Sequence, residues 1–318
     1  MAATTENDKP TNATTDTNSH ATTTTIGSPT NFWLHNPLTG FDLTHPPTPS
    51  SPQIIPSLTL QTTTEPVTLD PAKTALVIID MQNFFLSPAF GRNPNGAGHA
   101  AMEALIQTAI PAARRAGVRI VWVNWGLTEE EVEEMPPAML RTFGAVGAGK
   151  IGEGKDGSVY VGLGGDCGMR EDVFEGEGRE VQPGKLLMRD QWNSGLYGPL
   201  VGVYDEGKKL GGGREDVWIH KNRMSALWGG RTALGDFLEE QGIKSLLFAG
   251  VNTDQCVGGT LQDAFSKGFD SILLADAAGT SSPEFAQEGI EYNAQKSWGF
   301  LTSCGEFAKG VAEMQAVR

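Results

Sequence analysis

The spacing of apolar and polar residues changes character at about Pro66. Beyond it, short apolar runs alternate with segments of helical period. Residues 75–80 (ALVIID) are a near-continuous, branched run that predicts a strand buried on both faces. Runs of the same kind follow at 118–124 (VRIVWVN), 216–220 (DVWIH), 245–250 (SLLFAG), 271–275 and 299–302. Between them a helix is expected over 99–116, with a break or kink at Pro111. Further helices are expected over 231–241, ended by Gly242, over 256–267, ended by Gly268, and over 283–296. The alternation predicts an α/β fold: a six-stranded, mostly parallel, Rossmann-like sheet with helices on both faces, three layers in all.

Two stretches break the rhythm. Residues 127–215 separate the second strand from the third, and residues 144–213 hold 20 of the chain's 40 glycines, too many for packed helices. An acidic helix near 129–140 should open this insert. Loops and a hairpin over 158–163 should follow, and long loops of this kind serve as lids, binding loops or oligomer contacts. At the other end, residues 1–30 carry eleven threonines and almost nothing apolar, which predicts a disordered tail. Residues 31–66 place Phe32, Trp33, Leu34, Phe41 and Leu43 among prolines and read as an extended arm lying on a surface. Residues 67–318 then form one α/β domain with the insert inside it. No internal repeat is visible.

Charge narrows the partners. Asp plus Glu number 38 against 24 Lys plus Arg, a net charge of −14. That balance argues against nucleic acid and against anionic membrane surfaces. No apolar run approaches the roughly twenty residues of a membrane span, and no basic-then-apolar leader opens the chain. Cys167, Cys256 and Cys304 form no CxxC pair and make a poor disulfide framework. A cytoplasmic protein acting on a small molecule is expected.

In open α/β sheets, ligands bind outside the carboxyl ends of the strands. Three reactive residues are predicted there. Asp80 ends the first strand; it is either a helix cap or a carboxylate in a semi-apolar cleft, suited to act as a general base. Lys221 ends the third, and its ammonium either snorkels to solvent or stands as a fixed cation that favours a thiolate. Cys256 follows the fourth at the start of a helix, where free N–H groups and the dipole lower a thiol's pKa. Cys167 and Cys304 read instead as inert, buried hydrophobes. Gly152–Gly157 spells GxGxxG, but no strand precedes it and no helix follows, which argues against a dinucleotide. The five histidines (His20, His35, His45, His99, His220) lack zinc-ligand spacing, so no metal and no cofactor is expected. If Cys256 is a nucleophile, its base must be a carboxylate.

The text carrying these residues resembles the isochorismatase-like cysteine hydrolases. The matching stretches are TALVIIDMQNFFL (74–86), WIHKNRMSAL (218–227) and LLFAGVNTDQCVGGTLQDAFSKGFDSILLADAAGT (246–280). The resemblance implies a catalytic triad of Asp80, Lys221 and Cys256. It also implies a cis peptide at Val251–Asn252 and an oxyanion hole from the Asn252 and Cys256 N–H groups. Phe84 stands where the family usually has an acid. The Asp-x-His metal pattern of the nicotinamidase branch is absent, since the second strand ends Asn124-Trp125-Gly126. Isochorismate-cleaving members lack the cysteine, so Cys256 points to amide-type cleavage. The implied activity is hydrolysis of a C–N bond (amide, ureido or related) through a thioester. The alternatives are vinyl-ether hydrolysis with Asp80 as acid, or a catalytically silent scaffold. Phe84, Phe85, Trp125, Trp192, Asn193, Arg223 and Trp228 are candidate walls of an aromatic slot for a planar or hydrophobic substrate. The resemblance further implies a homo-oligomer, a dimer or tetramer.

Overall fold

The computed structural model describes residues 22–144, 152–153, 159–160, 162–174 and 177–316. Residues 158 and 161 of the predicted 158–163 hairpin, most of the 152–157 glycine motif and residues 1–21 of the predicted tail lie outside the described residues; Val159–Tyr160 pairs antiparallel with Gly152–Glu153, upstream of that hairpin. The main sheet has six strands: β1 (Thr74–Ile79), β2 (Arg119–Trp125), β3 (Val217–Lys221), β4 (Ser245–Val251), β5 (Asp270–Gly279) and β6 (Phe300–Thr302). Their order in space is β3-β2-β1-β4-β5-β6, and every pairing is parallel. Strand order therefore reverses between β1 and β4, the place where such sheets open a ligand crevice.

All six residues of β1 and all seven of β4 are buried, because helices cover both faces and alternate side chains feed two cores. Leu76, Ile78, Trp122, Leu247 and Ile272 pack on one side with the helical segment 97–116 and the C-terminal helix Cys304–Ala316. Val77, Ile79, Val121, Val123, Phe248 and Leu273 pack on the other with helices Ala233–Glu240 and Gly258–Ser266. Gly250 at the crossing point has φ +115°, and a Cβ there would strike the Ile79 backbone. Only glycine lets β1 and β4 approach so closely.

The helix over 97–116 does not break at Pro111. Residues Leu105–Ala109 form a widened π turn that runs directly into Ile110–Ala116, and this loosened turn accommodates Pro111, which has no N–H to give to the turn before it. The acidic stretch near 129–140 forms two short helices, Glu129–Glu133 and Pro137–Thr142, divided at the prolines. Within the insert, Leu200–Gly207 is a further helix that the sequence reading lacked.

The N-terminal region is more ordered than an unpaired arm. Thr24–Ser28, Asn31–Asn36, Gly40–Leu43, Val67–Leu69 and Leu58–Leu60 pair in that order into a second, five-stranded sheet. Part of the stretch read as a tail is thus a strand. Leu43, Leu58, Leu60 and Leu69 join the core under the C-terminal helix. A buried polar latch ties the two sheets. The Asp270 carboxylate, 2% exposed, accepts from Trp33 Nε1 (2.7 Å) and Ser245 Oγ (2.6 Å) and pairs with His45 Nε2 (2.8 Å). Among the described residues, no helix is long and apolar enough to cross a membrane.

Candidate active site

Three chain crossings meet at the carboxyl ends of the central strands. Asp80 follows β1 with φ +54°, a left-handed conformation that Asp tolerates better than most residues. Its Oδ1 accepts from the Trp125 N–H at the end of β2 (3.3 Å), and its Oδ2 lies 3.0 Å from Lys221 Nζ at the end of β3. The same ammonium donates to Cys256 Sγ (3.4 Å) and to the carbonyls of Arg223 (3.1 Å) and Met224 (3.2 Å). Its Nζ stands 3.9 Å from the centre of the Trp125 ring. Lys221 does not snorkel: its side chain is 2% exposed, and that of Asp80 is 0% exposed.

Cys256 lies in a widened turn, Thr253–Val257, that leads into the Gly258–Ser266 helix. It is 3% exposed, and Met224 Sδ lies 3.4 Å from its sulfur. The Val251–Asn252 peptide immediately before this turn is cis.

The expectation of a lowered thiol pKa is corrected. Burial first, and then the Asp80 charge, push the Cys256 thiol up to about 12, against the smaller opposing pull of Lys221. A first-turn position cannot outweigh the loss of water around a buried anion next to a carboxylate. Burial also raises the Asp80 pKa, with the Lys221 charge pulling the other way. The raised thiol pKa favours a neutral sulfur beside the Asp80–Lys221 pair. A proton moving from sulfur to Asp80 leaves the net charge of this dry cluster unchanged, whereas its loss to bulk water would leave two anions facing one cation. Cys167 and Cys304 also have raised pKa values, again chiefly from burial, Cys167 to about 11.

The structure disperses the predicted wall residues. Trp125 lies beneath Lys221. Phe84 is 2% exposed and packs edge-on against Phe85 and Phe90, so it belongs to an aromatic core and not to an open slot. Trp192 stacks on Phe90 at 6.4 Å and is half-buried. Asn193 is fully buried and turned into its own loop: Oδ1 accepts from Leu187 N–H (2.7 Å), and Nδ2 donates to the carbonyls of Pro183 and Lys185 (both 2.8 Å). Its bonding capacity is taken up by the insert, which corrects its reading as a substrate contact. Arg223 and Trp228 form a cation–π pair at 4.9 Å beside the Lys221 loop, with Trp228 exposed.

One residue escaped the sequence reading. Gln82 is fully buried; its Nε2 donates to the carbonyls of Trp125 (2.8 Å) and Ser194 (2.7 Å), and its Oε1 accepts from the Trp125 N–H (3.1 Å). It clamps the backbone on which both Asp80 and Lys221 lean. Its only signal in the text was a polar residue two places after the strand-ending acid.

Among the described residues, no group of three or more His, Cys, Asp or Glu side chains is placed to hold a metal ion.

The chain thus has a parallel α/β sheet with a carboxylate, an ammonium and a thiol at its reversal point. Its resemblance to the isochorismatase-like cysteine hydrolases is borne out, since residues 202–303, which span β3 to β6, match the family model described as the Isochorismatase domain. Solved structures share the fold. A cysteine hydrolase from Pseudomonas syringae superposes with a TM-score of 0.53 at 17% identity, covering 83% of this chain and 99% of its own. An isochorismatase family protein from Desulfovibrio vulgaris gives a TM-score of 0.50 at 18% identity, covering 76% of this chain and 98% of its own.

Proposed function

We propose that the chain is a cysteine hydrolase that cleaves a C–N bond, amide or ureido, in a small molecule. The observation that carries this reading is the position of Lys221 Nζ, 3.0 Å from Asp80 Oδ2 and 3.4 Å from Cys256 Sγ in a cluster closed to bulk water. Asp80 takes the thiol proton as Sγ attacks the carbonyl carbon. The C–S bond forms, and the carbonyl electrons move to oxygen, where the Asn252 and Cys256 N–H groups receive them. The oxyanion then collapses, the C–N bond breaks, and Asp80 returns the proton to the leaving nitrogen. Water, deprotonated by Asp80, opens the thioester. The acid is released and the sulfur recovers its proton.

Each partner has a task that its environment supports. The raised Asp80 pKa makes a stronger base than an exposed aspartate. Lys221 opposes that rise and faces the sulfur when charge develops on it. Trp125 holds the ammonium from below and excludes water. Incubating wild type, Cys256→Ala and Asp80→Asn with a panel of amides, ureides and lactams, with ammonia and amine detection, tests the reading. Turnover by the wild type and its loss in both variants is the expected result; wild-type rates in Cys256→Ala would overturn it.

A further inference from the structure

One side chain among the reactive groups carries a donor that the resting protein does not use. Trp125, the last residue of β2, is 0% exposed and packs in the same core as Cys256. Its main chain is bound by Asp80 Oδ1 and by both ends of the Gln82 amide. Its ring lies 3.9 Å from Lys221 Nζ and meets the Phe143 ring at 5.2 Å and 74°. Backbone and ring are thus both held, yet the buried Nε1 has no hydrogen-bond partner.

Four of the other six tryptophans spend this group on a neighbour. Trp33 donates to Asp270 (2.7 Å), Trp122 to Asp216 (2.9 Å), Trp218 to His220 (3.2 Å) and Trp228 to Asn222 (3.2 Å). Trp192 and Trp298 are only half-buried. An indole N–H can only donate, and burying it idle costs stability. The sulfur of Cys256 gives it a use. Burial and then the Asp80 charge hold that thiol's pKa up, while Lys221 and the Trp125 side chain pull it down. A neutral thiol is a weak acceptor, whereas hydrogen bonds to an anion are strong. The N–H is therefore idle while the sulfur keeps its proton, and it bonds as the sulfur becomes negative. A donor already fixed where charge develops costs no reorganisation at the moment of reaction.

We propose that the Trp125 indole N–H is a fourth catalytic group, which donates to Sγ as the thiol proton passes to Asp80 and shares the developing thiolate with Lys221. The indole keeps its own proton; the one that moves is the thiol's. The proposal rests on the reading of Cys256 as nucleophile. A bond made only as charge develops raises kcat and leaves KM alone.

Site-specific replacement of Trp125 by 3-benzothienylalanine keeps the bicyclic shape and puts sulfur in place of the N–H. The kcat for a cleaved amide should fall about tenfold to a hundredfold, the range for a hydrogen bond to a charged group, with KM nearly unchanged. Alkylation of Cys256 by iodoacetamide, followed by peptide mass spectrometry across neutral and mildly alkaline pH, needs no substrate. It should slow by roughly threefold or more at every pH, because a higher thiol pKa lowers the thiolate fraction while making the remaining thiolate more nucleophilic. Placing 5-fluorotryptophan at the same position keeps the donor and should hold both rates near wild type. Trp125→Phe removes the N–H by a natural substitution and should slow both rates as the benzothienyl side chain does; far-ultraviolet circular dichroism identifies any variant that fails to fold. Wild-type kcat and wild-type alkylation in a folded protein lacking the N–H would overturn the proposal. Turnover of amides by Cys256→Ala would overturn the nucleophile instead, whatever the alkylation rates, so the two failures are told apart.

Discussion

Replacing Gln82 by Leu keeps the volume and deletes three hydrogen bonds at the centre of the site. Two buried carbonyls, those of Trp125 and Ser194, lose their Nε2 donor at 2.8 and 2.7 Å, and the Trp125 N–H keeps only its longer bond to Asp80. Each buried group left unsatisfied costs roughly 1–3 kcal/mol, so the two carbonyls imply a loss of about 2–6 kcal/mol in unfolding free energy. The kinetic effect should be separate and larger. Trp125 positions Asp80 through its N–H and Lys221 through its ring, and a misplacement of ~1 Å in such a cluster costs on the order of 10²-fold in rate. Urea unfolding followed by tryptophan fluorescence reads the first effect, and steady-state kinetics read the second, with kcat falling far more than KM changes. A variant within about 0.5 kcal/mol of wild type, with kcat intact, would refute the assignment of Gln82 as the clamp.

Lys221→Met removes the charge that opposes the upward shift of Asp80. Asp80 must be ionised to accept the thiol proton, so the acid limb of kcat/KM should move to higher pH; an unmoved limb, or one moved to lower pH, contradicts the pairing. Asp270→Ala leaves the Trp33, His45 and Ser245 groups without their shared acceptor. It should cost about 3–5 kcal/mol, as loss of one buried partner does, with faster amide exchange over residues 24–43; unchanged exchange there would show that the latch does not hold the second sheet. Asn193→Ala should lower stability by roughly 2–4 kcal/mol through the freed groups of the 183–187 loop while leaving KM near wild type. A large rise in KM with stability intact would return Asn193 to the substrate.

The main sheet was legible because parallel strands covered on both faces read as unbroken apolar runs. ALVIID and SLLFAG need no tertiary information to be recognised. The reactive trio was legible for a related reason, since each residue sits where such a run ends. What escaped depends on contacts between distant parts of the chain. The N-terminal strands are three to six residues long and lie among prolines, and only their packing under the Cys304–Ala316 helix makes them a sheet. That helix was itself absent from the sequence reading. Gln82 looks like any polar residue until Trp125 and Ser194 arrive from positions far along the chain. The thiol of Cys256 was misjudged because a helix start is a local feature, whereas burial beside Asp80 is not. Asn193 looked like a ligand contact because an asparagine in a glycine-rich loop gives no hint that the loop will consume its bonds.

The central claim is that the sulfur of Cys256 forms a covalent bond to the substrate. Acid quenching during turnover of a cleaved amide, followed by peptide mass spectrometry, tests it most directly. The expected result is an added mass equal to the acyl group on the peptide containing Cys256, absent from the Cys167 and Cys304 peptides and discharged by hydroxylamine. Sustained turnover with that peptide unmodified at every quench time, and with Cys256→Ala equally active, would contradict it.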